Sequence, residues 1–109
     1  MTKYRPDRWV VIKMTHKDQT IYKVLGGWSG SYLDGSSWRL NSGIEKCEYD
    51  LDNDLYSFYG SSGSVYIVDP GCYGLGLSTA SVWEQMKEKY PEQVELLENC
   101  DWATMEWTK

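Results

Sequence analysis

Arg8-Trp9-Val10-Val11-Ile12-Lys13-Met14 is the stretch that decides the fold. Its β-branched and apolar side chains suit a pleated, buried backbone, so it reads as a central strand. His16-Lys17-Asp18-Gln19 follows as a polar turn, and Thr20 to Leu25 continues as a second strand. Together they predict an antiparallel hairpin, which Gly26-Gly27 is expected to break.

The next segments repeat the pattern of short strands and tight turns. Tyr32-Leu33 and Ser37-Trp38-Arg39-Leu40 read as strand pieces around Asp34-Gly35, a hairpin turn signal, and Asn41-Ser42-Gly43 is another turn. Ile44 to Tyr49 predicts a strand with Ile44, Lys46 and Glu48 on one face and Glu45, Cys47 and Tyr49 on the other. Asp50-Leu51-Asp52-Asn53-Asp54 is a charged turn. Leu55 to Tyr59 and Ser64 to Val68 form a further hairpin, ended by Asp69-Pro70-Gly71. Tyr73 to Leu77 reads as loop.

One helix is predicted, starting near Ser78 to Ser81. Ser81-Val82-Trp83-Glu84 fits a capping box, in which hydroxyl and carboxylate each satisfy an exposed amide. Val82, Met86 and Tyr90 recur at helical spacing, Trp83 widens the stripe, and Pro91 stops it. Val94 to Leu97 reads as a last edge strand, and Trp102 to Trp107 as a short terminal helix docked on the core. Strands followed by one helix and a tail predict a single α+β domain over residues 1–109: a twisted antiparallel β-sheet with one main α-helix packed on a face.

Composition narrows the partners. A chain of 109 residues buries roughly 65% of its unfolded surface, enough for one modest core. Six Trp and nine Tyr against one Phe mean that aromatics fill it or present a binding face. The net charge of −5 argues against duplex DNA or RNA, which demands a basic footprint. It permits a local phosphate pocket, or an acidic surface docked on a basic partner. Cys47, Cys72 and Cys100 lack Cys-x-x-Cys spacing, so neither zinc nor a redox dithiol is indicated. Cys72, in a Gly/Pro loop, is the candidate exposed thiol. No signal-peptide pattern or membrane-length apolar stretch is present, and a reduced cytoplasmic setting fits.

A five-residue pattern, Gly-x-Ser-Gly-Ser, occurs twice: Gly27-Trp28-Ser29-Gly30-Ser31 and Gly60-Ser61-Ser62-Gly63-Ser64. Read as two Gly/Ser turns, these segments point amides into a concavity that suits an anion, and their serines add donors. Trp28 and Tyr66 would stack a base, and Arg39 would offset charge. The candidate ligand-binding set is therefore Trp28, Ser29, Gly30, Ser31, Arg39, Ser62, Gly63, Ser64 and Tyr66. Neither segment is a P-loop or a dinucleotide fingerprint. Ser31 stands where a hydrolase elbow requires glycine. Asp50, Asp52 and Asp54 resemble the start of a calcium loop, but Leu55 and Ser61 replace its glycine and glutamate. His16, the sole histidine, has no local base partner or metal-ligand spacing. No catalytic residue, metal or cofactor is therefore assigned.

Tyr4 to Val11, Trp38 to Ile44 and Tyr59 to Tyr66 give the chain its resemblance to small uncharacterised proteins carried by tailed bacteriophages. The resemblance implies an intracellular product made during infection and acting stoichiometrically, for example as a host-defence antagonist that sequesters a nucleotide signal. Two other functions stay open at this point. One is an acidic inhibitor that engages a host protein through Glu45, Glu48, Asp50, Asp52 and Asp54, as a nucleic-acid mimic. The other is a small enzyme using tyrosine or carboxylate chemistry. A homodimer would let so small a domain enclose a ligand.

Overall fold

The opening hairpin forms as its sequence predicts, and then runs on past its expected end. A computed structural model of the chain describes residues 2–31 and 35–107; side chains at 29–31, 35–37 and 77–78 fall outside that description. Strand β1 is Lys3–Tyr4, β2 is Arg8–His16 and β3 is Gln19–Ser31. β2 and β3 pair in continuous antiparallel register from Arg8↔Gly27 to His16↔Gln19. Lys17, at φ 56°, makes the tight reversal between them.

Gly26-Gly27 does not break β3. Pro6 lies against this strand so closely that a Cβ on Gly26 would sit 2.9 Å from the Pro6 Cβ. The glycine serves a close approach of chain segments, a role that keeps it inside a strand. β4, Gly35–Leu40, continues the sheet antiparallel to β3, with a register shift between Ser29 and Ser31. The Tyr32-Leu33 piece and Asp34 of the predicted Asp34-Gly35 turn lie outside the described residues.

β5 is Ile44–Asp50, β6 is Leu55–Gly60 and β7 is Val65–Val68. The strands divide between two four-stranded sheets, ordered β1-β7-β6-β5 and β4-β3-β2-β8, where β8 is Val94–Leu96. β8 is an edge strand, as expected, antiparallel to β2. β1 pairs in parallel with β7, Lys3 opposite Val65 and Tyr4 opposite Tyr66. Along β5 a register shift between Ile44 and Lys46 breaks the predicted alternation: Ile44 is buried while Lys46 and Glu48 are exposed. The extra residue of a bulge moves Ile44 to the opposite face from Lys46.

The helix α1 spans Leu77–Lys89, earlier than expected. Its first turn is held by Thr79, whose Oγ1 accepts from the Gly76 amide at 2.8 Å, so the Ser81–Glu84 capping box is not used. Glu84 instead pairs with Lys87 at 2.9 Å. The helix ends before Pro91, as predicted, because proline restricts the residue ahead of it.

Three layers result. Val10, Ile12 and Leu25 meet Trp83 of α1 on one face of the β2–β3 hairpin. Trp9, Val11 and Val24 meet Tyr56, Phe58, Tyr66 and Val68 of the other sheet on the opposite face. β2 is therefore covered on both sides, which is why its sequence is apolar without alternation. Trp102 and Trp107 dock into the same inter-sheet core, and the expected terminal helix is one 3-10 turn, Trp102–Thr104. Among the described residues no helix is long and apolar enough to cross a membrane.

Candidate functional site

The two Gly-x-Ser-Gly-Ser segments have different structures. Gly27 to Ser31 is strand, the end of β3, and not a turn. The second is a true hairpin turn between β6 and β7, with Gly63 at φ 93°. That positive φ explains the glycine at 63; the close approach of Pro6 belongs to Gly26, the residue before the first segment. The resemblance between the two segments is convergence on small residues for separate reasons.

The second turn is closed on itself. The Gly60 amide donates to Ser64 O at 2.8 Å, Ser61 N to Gly43 O at 2.9 Å, and Gly63 N to Gly60 O at 3.1 Å. Ser62 N donates to Ser42 Oγ at 3.0 Å. Ser61 Oγ and Ser62 Oγ also bond Ser42 Oγ, at 2.9 and 3.1 Å, and Ser62 Oγ lies 3.4 Å from Ser64 Oγ. Four amides of this turn, Gly60 to Gly63, are therefore already committed. Beneath the turn Asn41 is buried; its Oδ1 accepts from the Val24 amide at 2.8 Å while its Nδ2 is unpaired.

Trp28, Arg39 and Tyr66 do come together, and the residue that joins them is Tyr4. The Arg39 guanidinium lies 4.5 Å from the Tyr4 ring centroid. Tyr4 meets Trp28 edge-on at 6.2 Å and Tyr66 at 5.1 Å. Four strands build this cluster. Parallel pairing with β7 sets Tyr4 beside Tyr66, antiparallel pairing sets Arg39 opposite Gly26, and Trp28 lies two residues further along β3. The Trp28 Nε1 donates to Arg5 O at 2.9 Å, which fixes the indole.

The members have different exposures. Tyr66 is 1% exposed and forms the floor. Burial pushes its phenol up to about 12, opposed by the nearby Arg39 charge. Tyr4 and Trp28 are half-buried, and Arg39 is exposed. Lys3 and Arg5, both exposed, flank Tyr4 in the chain. Of these cations, Arg39 is the one placed over the Tyr4 ring. Ser29, Gly30 and Ser31 continue β3 beyond Trp28, and the side chains of the two serines lie outside the described residues. Ser62 and Gly63 are exposed on the separate hairpin turn, and Ser64 leads into β7 two residues before Tyr66.

Tyr4 escaped the sequence reading because a two-residue strand has no periodicity to detect. The available signal was Lys3-Tyr4-Arg5, an aromatic between two cations.

The cysteines also depart from expectation. Cys72 is half-buried against the core, whereas Cys100 is exposed, and all three are unpaired. Burial, and then the charges of Asp101 and Glu48, push the Cys47 thiol up to about 12. Burial and Asp101 raise Cys100 as well, so neither is an activated thiolate.

No protein-family model matches the chain, and neither does a curated protein or a solved structure.

Proposed function

We propose that this is a non-enzymatic binding protein that sequesters a small nucleotide-like ligand on the Tyr4–Trp28–Arg39 cluster. The observation that carries this reading is the exposed Arg39 guanidinium held over Tyr4 beside a fixed, half-exposed indole. A guanidinium binds phosphate through paired, charge-assisted hydrogen bonds. An indole offers a flat face to a base. Both are ordered before any ligand arrives, which lowers the entropic cost of binding. Tyr66 supports the site from below. The role follows the phage resemblance: an antagonist of host defence acting in the cytoplasm, where three unpaired cysteines remain reduced. A second copy of the chain closing over the open platform belongs to the same reading.

Titration calorimetry against linear and cyclic nucleotides tests it. Binding of at least one is expected. Arg39→Ala should weaken that binding by about tenfold to a hundredfold, the loss of a charged hydrogen bond. Trp28→Ala should weaken it similarly. Folded protein that gives no heat with any nucleotide would sink the proposal.

A further inference from the structure

A concavity lies at the other end of the β1-β7-β6-β5 sheet, where β5 and β6 meet the C-terminal segment. It has a volume of about 450 Å³ and is lined by Tyr49, Tyr56, Pro70, Asn99, Cys100 and Asp101. Tyr49 and Tyr56 are cross-strand partners with ring centroids 5.0 Å apart. Tyr49 is 40% exposed, so its ring meets solvent at the mouth.

The polar groups of this cavity are arranged with one sense. Both phenol hydroxyls are spent on carboxylates: Tyr49 Oη donates to Asp54 Oδ1 at 2.6 Å, and Tyr56 Oη to Asp101 Oδ1 at 3.2 Å. Asn99 donates from Nδ2 to Pro70 O at 3.1 Å. Its Oδ1 accepts from the Trp102 indole at 3.0 Å, which locks the amide orientation. The cavity offers two π faces and the remaining lone pairs of Asp101 and Pro70, with Asp54 behind the Tyr49 hydroxyl. Among the described residues, no lysine or arginine lines it. The local field agrees: burial, and then bonding and charge from Asp101, push Tyr56 up to about 12, and burial followed by Asp101 raises Cys100.

We infer that this cavity receives a lysine or arginine side chain from a basic segment of a partner protein. Ammonium and guanidinium groups carry donors only, and they are attracted to aromatic faces. The cavity's complement is therefore a cation with N–H groups, which the Asp101 carboxylate and the two ring faces attract together. Charge extends beyond the cavity lining. Asp54 and Asp101 hold the two phenols from either side, and Asp52 is exposed in the same turn as Asp54. Glu48 and Asp50 alternate with Tyr49 and face the other side of the sheet, where Glu48 is engaged by Lys46 at 3.9 Å and by the Tyr59 hydroxyl at 2.7 Å. Separate carboxylates flanking the two rings suit positive charges spaced along a peptide better than one free amine. This site is separate from the Arg39 cluster and does not depend on it.

The test is fluorescence anisotropy of a labelled ten-residue Lys/Arg peptide titrated with the full chain, at low and at physiological salt. Saturable binding that weakens with salt is expected. Asp101→Asn should weaken it by about tenfold, the loss of one close charge. That substitution keeps an acceptor for the Tyr56 hydroxyl and for the Ala103 amide, so the fold is retained. Tyr49→Ala, at an exposed position, should weaken binding independently, while Arg39→Ala should leave it unchanged. Four results would each overturn the proposal: no binding, unchanged affinity in both Asp101→Asn and Tyr49→Ala, equal affinity for a glutamate peptide, or full competition by spermine at the peptide's own concentration.

Discussion

At the scale of single residues, the Tyr73 hydroxyl reinforces a junction that the β2–β8 backbone pairing already makes. The Tyr73 hydroxyl accepts from the Val11 amide at 3.1 Å and donates to the Leu97 carbonyl, just where β8 ends. Burial pushes Tyr73 and Tyr66 up to about 12, and burial with Asp101 does the same to Tyr56, from an ordinary value of 10.0. The folded state holds these protons above the pH at which the unfolded chain releases them. Stability from this source is complete below about pH 10 and falls as pH rises toward 12. The urea midpoint should begin to fall near pH 9, where the unfolded Cys47 thiol ionises, and fall more steeply above pH 10 as the three phenols join it. Tyrosinate absorbance should show these three phenols ionising after the exposed ones. A midpoint that holds level well past pH 10 would contradict the assignment.

At the scale of elements, the Pro6–Gly26 approach is the tightest constraint on β3. A methyl group there meets the rigid proline ring at 2.9 Å. Gly26→Ala should therefore destabilise by about 1–3 kcal/mol, the usual cost of overpacking, read from the denaturant midpoint. The same glycine shows where sequence reading stopped. The β2–β3 hairpin, the β6–β7 hairpin, the β8 edge and the Pro91 stop were legible because apolar runs and turn residues are local signals. Gly26-Gly27 suggested a break because the partner that needs the glycine, Pro6, arrives from twenty residues earlier. The bulge at Ile44–Lys46 was invisible for the same reason, since a register shift belongs to a pair of strands and not to one. Within the candidate site, Trp28, Arg39 and Tyr66 were legible as chemistry. Their meeting point, Tyr4, depends on a parallel pairing that local sequence does not encode.

For the whole molecule, the inter-sheet core is an aromatic assembly centred on Trp102. This residue is fully buried and packs against Trp9 at 5.7 Å, Tyr73 at 5.3 Å, Phe58 at 6.1 Å and Trp107 at 6.0 Å. Large-to-small change of a buried tryptophan costs about 3–5 kcal/mol, a large share of the stability of a domain this size. Trp102→Ala should lower the thermal midpoint by well over ten degrees, or leave the chain unfolded at room temperature, as seen in near-ultraviolet circular dichroism. A midpoint within a few degrees of the original would show that the terminal segment is only draped over the core. The parallel strand at Lys3–Tyr4 adds a temporal side to this architecture. Its partners, Val65 and Tyr66, are synthesised some sixty residues later, and the tryptophan that fills the core later still. A nascent chain therefore carries Tyr4 and Arg39 for most of translation with no platform to form. The Tyr4–Trp28–Arg39 surface comes into being only as synthesis nears Trp102, so on the proposed reading a chain halted earlier would occupy the ribosome without ever competing for a ligand.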